Sequence, residues 1–327
     1  MMISLSLDDL KCLPIADFAV DAIRDAYVAI VDGRANIPPV GYLRLEAQNA
    51  DCHIKYGYIA GDDVFVVKIA SGFYNNPRLG LPSSNGMMIA MSSDTGQVVA
   101  TLYDEGWLTD LRTGFGGAIA TLALCRRDSR SIAIVGSGTQ ARQQIRALSA
   151  ISEHRLTFRN WARDGARAAT FASEMAAEGF SVAAEPELAA LCVTADAIIT
   201  TTPSTEPLVM ADWIRPGTHI TALGADAPGK QELQLDLLAR AAVIAVDSRS
   251  QCADHGEIAT AVRSGLLDPS ECPELGAILS GWEPGRTSDD QITIADLTGV
   301  ATQDIAIVRA ALAALKHKGS NRRDLSV

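Results

Sequence analysis

The chain has 327 residues, and its 28 Lys and Arg against 39 Asp and Glu give a formal net charge of −11. Nucleic acids and anionic membrane surfaces attract basic proteins, so this acidic balance argues against both as partners. With 48% hydrophobic and 20% charged residues the composition is that of a compact protein, and the length suggests two domains.

The cysteines and the amino-terminal region favour a cytoplasmic location. The six cysteines are dispersed, with no CxxC pair and no histidine cluster of zinc spacing, which is typical of free thiols and predicts no metal site. Asp8 and Asp9 interrupt the stretch where a secretion signal needs an apolar core. The uncharged run at residues 114–125 is too short to span a bilayer.

The first part of the chain predicts a helix followed by antiparallel strands. Apolar residues recur with helical spacing across residues 15–32, which indicates a surface helix. Three β-rich runs follow at residues 64–69, 87–91 and 97–103, the last two joined by a turn sequence. Small residues then recur across 108–124, which predicts a helix that packs closely against another surface.

From residue 131 onward short apolar runs alternate with helical patterns, which predicts βαβ units and a parallel sheet. The strand-like runs are residues 132–135, 156–158, 197–201, 220–223, 243–246 and 292–295. A closing helix is expected to return to the first domain, because the Rossmann-like unit is complete without it. The predicted class is therefore α/β, with a central Rossmann-type domain at residues 128–297. Both chain ends, residues 1–127 and 298–327, form a second, α+β domain.

A glycine-rich loop connects the strand at 132–135 to the helix that follows. It has a GxGxxA pattern formed by Gly136, Ser137, Gly138, Thr139, Gln140 and Ala141. The first glycine permits a tight turn, the second lets the backbone approach a pyrophosphate, and the alanine lets the helix touch the strand. The helix N-terminus adds N–H groups and partial positive charge. The pattern predicts a dinucleotide site, and a plain glycine turn is the alternative.

The end of the second strand predicts which dinucleotide is bound. About 20 residues after the loop an NAD enzyme normally places an acid that binds the 2′-hydroxyl of the ribose. This chain has Arg159, Asn160 and Arg163 there and no acid at the strand end. Asn160 with either arginine could accept a 2′-phosphate, so NADP(H) is favoured over NAD(H). The alternative is that the arginines are ordinary surface charges.

Several further motifs point to a known family. They are Lys68 in an apolar run, Asn75-Asn76-Pro77, residues 80–86, residues 108–113, the Gly136 loop and residues 224–233. Together they resemble the ornithine cyclodeaminase/μ-crystallin family over nearly the whole chain, and residues 71–77 and 105–110 most resemble its ectoine-utilisation cyclodeaminase branch. The resemblance implies a homodimer, a substrate-and-dimerisation domain built from both chain ends, and a central NAD(P) domain.

The resemblance also implies the residues of the site. Arg44, Lys68 and Arg112 correspond to the set that binds the substrate carboxylate, Asn85 stands where ornithine-specific members carry a histidine, and Asp226 corresponds to the acid/base residue. The cofactor set, besides the glycine loop, Asn160 and Arg163, consists of Thr113, Thr200, Thr201, Thr202 and Gly224.

The residues themselves leave several alternatives open. Lys68 lies in an apolar strand, where it needs a counter-charge, whereas Arg44 could simply pair with Glu46. Asp226 could be a turn or cap carboxylate before a helix at 230–238. Lys230 and Glu232 either support Asp226 or lie on the helix surface. The threonines at 200–202 line the nicotinamide pocket or merely end a strand.

The resemblance implies chemistry at the Cα–N bond of a small amino or imino acid. In a cyclodeaminase a hydride leaves Cα, the side-chain amine closes a ring, ammonia departs and the hydride returns, with Lys68 orienting the substrate and Asp226 handling the proton. Two alternatives remain. One is an NADPH-dependent imine reductase or amino-acid dehydrogenase, in ectoine or hydroxyproline-type catabolism. The other is a crystallin-like NADPH-binding protein without turnover. Asn85 and the lack of a ribose acid argue against ornithine as the substrate.

Overall fold

The computed structural model describes residues 2–323, except for the side chains of Pro77 and of residues 319–323. The contacts divide the chain into two compact units, Met1–Arg112 with Ala301–Val327, and Thr113–Val300. Residues 324–327 of the predicted first domain lie outside the described part. None of the helices in the described part combines the length and apolar character needed to cross a membrane.

Strands follow one another across residues 35–102, and strands and helices alternate over much of the chain from residue 131 onward. The strands are β1 (Ile3–Leu5), β2 (Ala35–Asn36), β3 (Gly41–Leu45), β4 (Ala50–Ile59), β5 (Val64–Phe73), β6 (Ser84–Ser92), β7 (Val98–Leu102), β8 (Ser131–Val135), β9 (Thr157–Trp161), β10 (Val182–Ala184), β11 (Ala197–Thr200), β12 (His219–Ala222), β13 (Val243–Val246) and β14 (Thr293–Asp296). The α-helices are α1 (Leu7–Lys11), α2 (Ala16–Val31), α3 (Trp107–Leu124), α4 (Thr139–Ile151), α5 (Gly165–Ala177), α6 (Leu188–Thr194), α7 (Leu235–Arg240), α8 (Arg249–His255), α9 (Ala259–Arg263), α10 (Leu275–Ser280) and α11 (Ala301–Arg323).

The first unit is a sheet with two helices packed on one of its faces. Its strand order is β1-β7-β6-β5-β4-β2, with β3 paired to β4, and all pairs except β1–β7 are antiparallel. Helices α2 and α11 pack on each other, and α11 packs on β4 and β5. Along β5 the side chains of Val64, Val66 and Lys68 are buried while their neighbours are partly exposed. One sheet face is therefore covered by helix, and Lys68 points into that covered side.

The second unit is a parallel sheet in the order β10-β9-β8-β11-β12-β14-β13. Every pair in it is parallel. Strands β8 and β11 are almost continuously apolar and buried, and β12 is fully buried although two of its four residues are polar, as expected for strands covered on both faces. The order of strands reverses between β8 and β11, and ligands of doubly wound sheets bind at the carboxyl edge of that crossing. The predicted α/β class and parallel sheet are confirmed.

Helix α3 begins in the first unit and continues into the second from Thr113. The predicted boundary at residue 127 placed the whole helix in the first domain. Glycines explain the difference, because a Cβ at Gly114 would lie 3.0 Å from Gln143 Cβ, and one at Gly117 would lie 2.4 Å from Gln144 Oε1. The small residues thus let α3 lie directly against α4, which belongs to the second unit.

Candidate active site

Two buried cations of the first unit share one buried carboxylate. Lys68 Nζ lies 3.0 Å from Asp304 Oδ1, and Arg112 Nε lies 3.1 Å from the same oxygen. Strand β5 carries the lysine, α3 the arginine and α11 the aspartate, so side chains far apart in sequence meet on the covered sheet face. Among the groups in ion-pair contact, two positive charges face one negative charge, and burial raises the pKa of the neighbouring acid Asp104, which disfavours its charged form. The resulting excess of positive charge suits an anionic ligand. We call Lys68, Arg112 and Asp304 the cation cluster.

Polar neighbours fix the geometry of the cation cluster. Arg112 Nη1 donates to Gln303 Oε1 at 2.9 Å, and Gln303 Nε2 donates to the Tyr27 hydroxyl at 2.8 Å. The second carboxylate oxygen of Asp304, Oδ2, is buried without a hydrogen-bond partner among residues 2–323. Because a buried acceptor without a donor costs free energy, a donor group of a ligand or a water molecule would stabilise it.

Burial and ion pairing shift the pKa values of the cluster in opposite senses. Burial lowers the pKa of Lys68 to about 8, although Asp304 opposes the shift. Burial alone would raise the pKa of Asp304, but the charges of Lys68 and Arg112 outweigh it and hold that pKa below its ordinary value. At neutral pH Lys68 and Asp304 are therefore both charged, and the lysine is close enough to titration to make the site sensitive to alkaline pH.

Arg44, which was predicted to join this set, lies apart from the cluster. It is exposed on β3, and its Nη1 lies 3.8 Å from Asp51 Oδ2 on β4, instead of pairing with Glu46. Asp51 and Lys55 are four residues apart on β4, so their side chains point to the same face of the sheet. Lys55 is paired with Lys68 and Asp51 is paired with Arg44, so Arg44 and Asp51 lie on the same sheet face as Lys68.

Asn85 lies on the opposite face of the same sheet. It is exposed on β6 and pairs in register with Ser71, three residues beyond Lys68 on β5. Side chains alternate between faces along a strand, so Asn85 and Lys68 point to opposite sides. Of the four predicted substrate residues, the structure brings together Lys68 and Arg112.

The glycine loop lies at the carboxyl edge of the parallel sheet, where the strand order reverses. Gly136 has a φ of 114°, and a Cβ there would lie 2.6 Å from Thr201 Oγ1, so the turn needs a glycine. Gly138 is the residue before α4 and makes no side-chain cap, which leaves N–H groups of the first turn for a ligand. Ala141 is fully buried. These features fit the pyrophosphate of a dinucleotide.

Of the residues at the end of β9 that were predicted to contact the cofactor, Asn160 contacts the glycine loop and Arg163 lies on the surface. Asn160 is fully buried, and its Nδ2 donates to the carbonyl oxygens of Ile134 at 3.1 Å and Gly136 at 2.6 Å. Its side chain thus fixes the glycine turn from inside the protein. Arg159 pairs with Glu185. Arg163 is exposed beyond β9 and has no ion-pair partner in the described part of the chain.

Arg142 is a loop residue that the sequence analysis missed. Its Nη1 donates to the carbonyl oxygens of Ser137 at 2.7 Å and Gly138 at 3.1 Å, and its guanidinium lies 5.0 Å from the ring centre of Phe171. Arg142 therefore fixes the backbone of Ser137 and Gly138 within the glycine loop. Its position, four residues after the second glycine and in the first turn of the helix, is the sequence signal that could have identified it.

The predicted acid/base residue stands on a loop beyond β12. Asp226 is half exposed, and Lys230 Nζ lies 2.5 Å from its Oδ1. The predicted helix at 230–238 is shorter than expected, because the helix α7 begins only at Leu235. Glu232, which was expected near Asp226 or on a helix surface, is instead completely buried.

The remaining predicted cofactor residues cluster around the same sheet edge. Thr201 Oγ1 donates to the carbonyl oxygen of Val135 at 3.1 Å, and a Cβ at Gly224 would lie 2.1 Å from the carbonyl oxygen of Thr202. The ends of β8, β11 and β12 are thus in close contact. Thr113 lies on α3, where its carbonyl oxygen accepts a hydrogen bond from Gln144 Nε2 at 3.1 Å.

A doubly wound sheet with a glycine loop at its switch point is the architecture of dinucleotide-binding proteins. The model of the ornithine cyclodeaminase/mu-crystallin family matches residues 5–318. The chain belongs to this family, as its motifs predicted.

Relatives match over almost the full length. An uncharacterised cyclodeaminase of Sinorhizobium fredii is 39% identical over 95% of this chain and 91% of its own length. The alanine dehydrogenase of Archaeoglobus fulgidus is 36% identical, with 93% and 92% covered.

Solved structures of similar proteins have the same fold. An archaeal alanine dehydrogenase dimer with bound NAD matches with a TM-score of 0.89 and 32% identity, covering 97% of both chains. The iminosuccinate reductase of Paracoccus denitrificans with NAD+ matches with 0.88 and 31%, again over 97% of both. The Δ1-pyrroline-2-carboxylate reductase of Thermococcus litoralis with NADH and L-proline matches with 0.89 and 26%, over 97% and 98%. The expected kind of protein, a nicotinamide-dependent enzyme of this family, is confirmed.

Proposed function

We propose that this protein interconverts a small 2-imino acid and the corresponding amino acid with a nicotinamide cofactor, with imine reduction as its main reaction. The observation that carries the proposal is the cation cluster, because a buried excess of positive charge in a chain of net charge −11 suits a carboxylate. The relatives described above include an alanine dehydrogenase, an iminosuccinate reductase and a Δ1-pyrroline-2-carboxylate reductase, whose names all refer to amino or imino acids.

In this proposal Lys68 and Arg112 hold the substrate carboxylate. Each charged hydrogen bond of this kind contributes about 1.5–3 kcal/mol to binding. Fixing the carboxylate also limits rotation of Cα, and such orientation lowers the barrier of a transfer step. The bound nicotinamide supplies or accepts a hydride at that carbon.

Asp226 is proposed to handle the proton on the substrate nitrogen. The Asp226 side chain is half exposed and paired with Lys230, so it is accessible to a ligand. In the reductive direction the Asp226 carboxylate stabilises a protonated imine nitrogen, and in the oxidative direction it accepts a proton from the amine.

The cofactor preference is proposed to be NADP(H) over NAD(H). The support is Arg163, an exposed guanidinium at the end of the second strand, together with the absence of an acid in β9. Asn160, predicted to contact the ribose side, is proposed instead to shape the glycine turn through its two hydrogen bonds. We also propose a cytoplasmic location, which its six free cysteines support.

The reaction is tested by mixing the protein with NADPH or NADH and Δ1-pyrroline-2-carboxylate, or with pyruvate and ammonium, while following nicotinamide absorbance. We expect cofactor oxidation that depends on the imino acid. Lys68→Met should raise KM for the substrate about ten- to a hundredfold, from the loss of one charged hydrogen bond. Lys11→Met is the matched control, since Lys11 is exposed on α1. Equal KM values for the two variants would refute the assignment of Lys68.

Deaminating cyclisation is the second candidate, favoured by the 39% identity to a cyclodeaminase. Ammonia released from ornithine with NAD(P)+ present, without net change of the cofactor, would identify it. A crystallin-like protein would bind NADPH and turn over none of these substrates.

We further propose a homodimer formed through the uncovered face of the first sheet. On this face β3 and β4 expose Leu43, Ile54 and Tyr56, and register places them on one side of the sheet, opposite to Lys68. A patch of large apolar side chains on a sheet is typical of a protein interface. A second copy is the expected occupant, because the similar alanine dehydrogenase is a dimer.

The dimer is tested by light scattering on the purified protein. We expect the mass of two chains for the wild type and of one chain for an Ile54→Lys, Tyr56→Lys variant. A variant with lysines at the exposed positions Val193 and Leu266 of the second unit is the control. A monomeric wild type, or a double variant that stays dimeric, would contradict this interface.

A further inference from the structure

Three buried carboxyl groups form a connected set in the second unit. Glu232, Glu257 and Asp296 are at most 1% exposed. Among the described residues no Lys or Arg nitrogen lies within ion-pair distance of any of them, and their partners are N–H, hydroxyl and amide groups. Buried acids without counter-charges are costly, so this arrangement calls for a functional explanation.

Glu232 joins the ends of two neighbouring strands. Its Oε2 accepts hydrogen bonds from Thr200 Oγ1 at 2.6 Å and Gly224 N at 2.8 Å. Its Oε1 accepts hydrogen bonds from Thr202 N at 2.6 Å and Thr202 Oγ1 at 2.7 Å. Four donors, from the last residue of β11, from Thr202 beyond it and from the segment after β12, therefore converge on one carboxylate. A Cβ at Gly224 would lie 2.4 Å from Oε2, so this close approach requires glycine.

The same contact closes the loop that carries Asp226. The loop runs from Gly224 to Glu232, has no regular secondary structure, and is joined at its two ends by the hydrogen bond from Gly224 N to the Glu232 side chain. Within it, Asp226 is paired with Lys230. Backbone hydrogen bonds from Leu223 N to Thr200 O and from Gln231 N to Ser204 O also hold the two ends of the loop, and the Glu232 side chain is the contact that reaches both Gly224 and the threonines.

Glu257 and Asp296 hold Glu232 in turn. Glu257 Oε1 accepts a hydrogen bond from Glu232 N at 2.7 Å, and its Oε2 accepts one from Leu233 N at 3.0 Å. Asp296 Oδ2 accepts one from Ile258 N at 3.1 Å, directly after Glu257. Each carboxyl group therefore fixes the backbone that carries the next one.

We infer that Glu232 is a positioning residue: it sets the separation between the Thr200–Thr202 segment and the loop that presents Asp226. The inference rests on the proposed function, in which those threonines line the nicotinamide and Asp226 handles the substrate proton. Misplacement of reacting groups by about 1 Å can lower a rate about a hundredfold. Glu232 should therefore act on the transfer step, while the glycine loop and the cation cluster bind their ligands as before.

The test compares Glu232→Gln with the wild type. The amide keeps the shape but turns one acceptor into a donor, which faces a backbone N–H at either position and forces the neighbouring threonine hydroxyl to accept instead of donate. We expect kcat to fall by at least about tenfold, with KM for the imino acid and the dissociation constant of the cofactor changed far less. A larger primary isotope effect with 4-deuterated cofactor should accompany the loss, because hydride transfer becomes slower. Glu283→Gln, which alters a partly exposed acid paired with Arg249, is the control.

A second readout does not require turnover. Hydrogen exchange of the backbone amides at 201–203 and 225–231 should accelerate together in Glu232→Gln and be unchanged in Glu283→Gln. Thr200→Val, which removes one donor, should show both effects more weakly and serves if the glutamine variant does not fold. An inactive wild type would refute the proposed function alone. An active wild type with an unchanged kcat in the Glu232 and Thr200 variants, or an equal loss of cofactor binding, would overturn the positioning role.

Discussion

Replacing Asp304 by Asn removes the only carboxylate of the cation cluster while preserving its shape. Asp304 Oδ1 lies 3.0 Å from Lys68 Nζ and 3.1 Å from Arg112 Nε. The substitution removes the carboxylate that lies within ion-pair distance of both buried cations, and Asp104, a buried acid that also interacts with Lys68, makes no ion-pair contact with it in the described part of the chain. Arginine stays protonated in proteins, so the lysine is the group that responds.

The size of the effect follows from the distance. At 3.0 Å and an effective dielectric constant of about 20, the Coulomb attraction between Lys68 and Asp304 is roughly 5 kcal/mol. One pKa unit corresponds to about 1.4 kcal/mol. Since the pKa of Lys68 is already about 8 because of its burial, loss of the attraction should take it below neutrality. Lys68 would then be uncharged at pH 7, and the substrate carboxylate would lose one charged partner.

The assay is kcat/KM for the imino acid as a function of pH, which reports the ionisation of the free enzyme. In the wild type kcat/KM should fall as the pH rises through about 8. In Asp304→Asn the same fall should occur at lower pH, so that kcat/KM at neutrality is about ten- to a hundredfold lower and recovers on acidification. Asp25→Asn, which alters an ion pair with Arg34 elsewhere in the first unit, should follow the wild-type profile. An Asp304→Asn profile parallel to that of the wild type would refute the role of this pair.

Three further substitutions test the second unit. Burial raises the pKa of Asp296 to about 7, so its contribution to stability should fall as the pH rises from about 4 to 7 and stay low above it. In urea denaturation at several pH values, Asp296→Asn should remove this share of the loss, up to about 4 kcal/mol for about three pKa units. A remaining loss is expected from Glu232 and Glu257, whose pKa values burial also raises. Gly136→Ala should lower both the melting temperature and the dinucleotide affinity, because it strains a φ of 114° and its Cβ meets Thr201. A Cβ at Gly138 meets no protein atom within 4 Å, so Gly138→Ala should lower only the dinucleotide affinity measured by calorimetry. Arg163→Ala should weaken NADPH binding about tenfold or more and leave NADH binding unchanged, and equal losses for both would contradict the NADP(H) preference.

Patterns within short stretches of sequence predicted the parallel sheet, the glycine loop and the burial of Lys68. The alternation after residue 131 indicated the parallel sheet, and a strand, a GxGxxA pattern and a helix in succession indicated the loop at Gly136. Lys68 in an apolar strand indicated a buried cation that needs a counter-charge. The partner, Asp304, lies 236 residues away, and no local pattern identifies a contact over that distance.

Other predictions depended on where strands end and which face a side chain takes. The run at 156–158 extends in the structure to Trp161, which places Asn160 inside the strand and turns its amide toward the loop carbonyls. Strand β4 was not predicted, so the ion-pair partner considered for Arg44 was Glu46, nearby in sequence. The structure pairs Arg44 instead with Asp51 on the neighbouring strand β4. The buried contacts of Glu232 come from the ends of two other strands, which a search for helical periodicity does not detect.

The most direct test of the proposed enzyme follows a deuterium atom. The protein is incubated with reduced cofactor deuterated at C4 and with Δ1-pyrroline-2-carboxylate, and the product is examined by mass spectrometry and NMR. We expect one deuterium at Cα of proline, transferred from one face of the cofactor only. At a substrate concentration well below KM, the initial rate of this transfer should be about ten- to a hundredfold lower in Lys68→Met. Proline without deuterium at Cα, or an undiminished rate of transfer in the Lys68 variant, would contradict hydride transfer to a carboxylate held by Lys68 and Arg112.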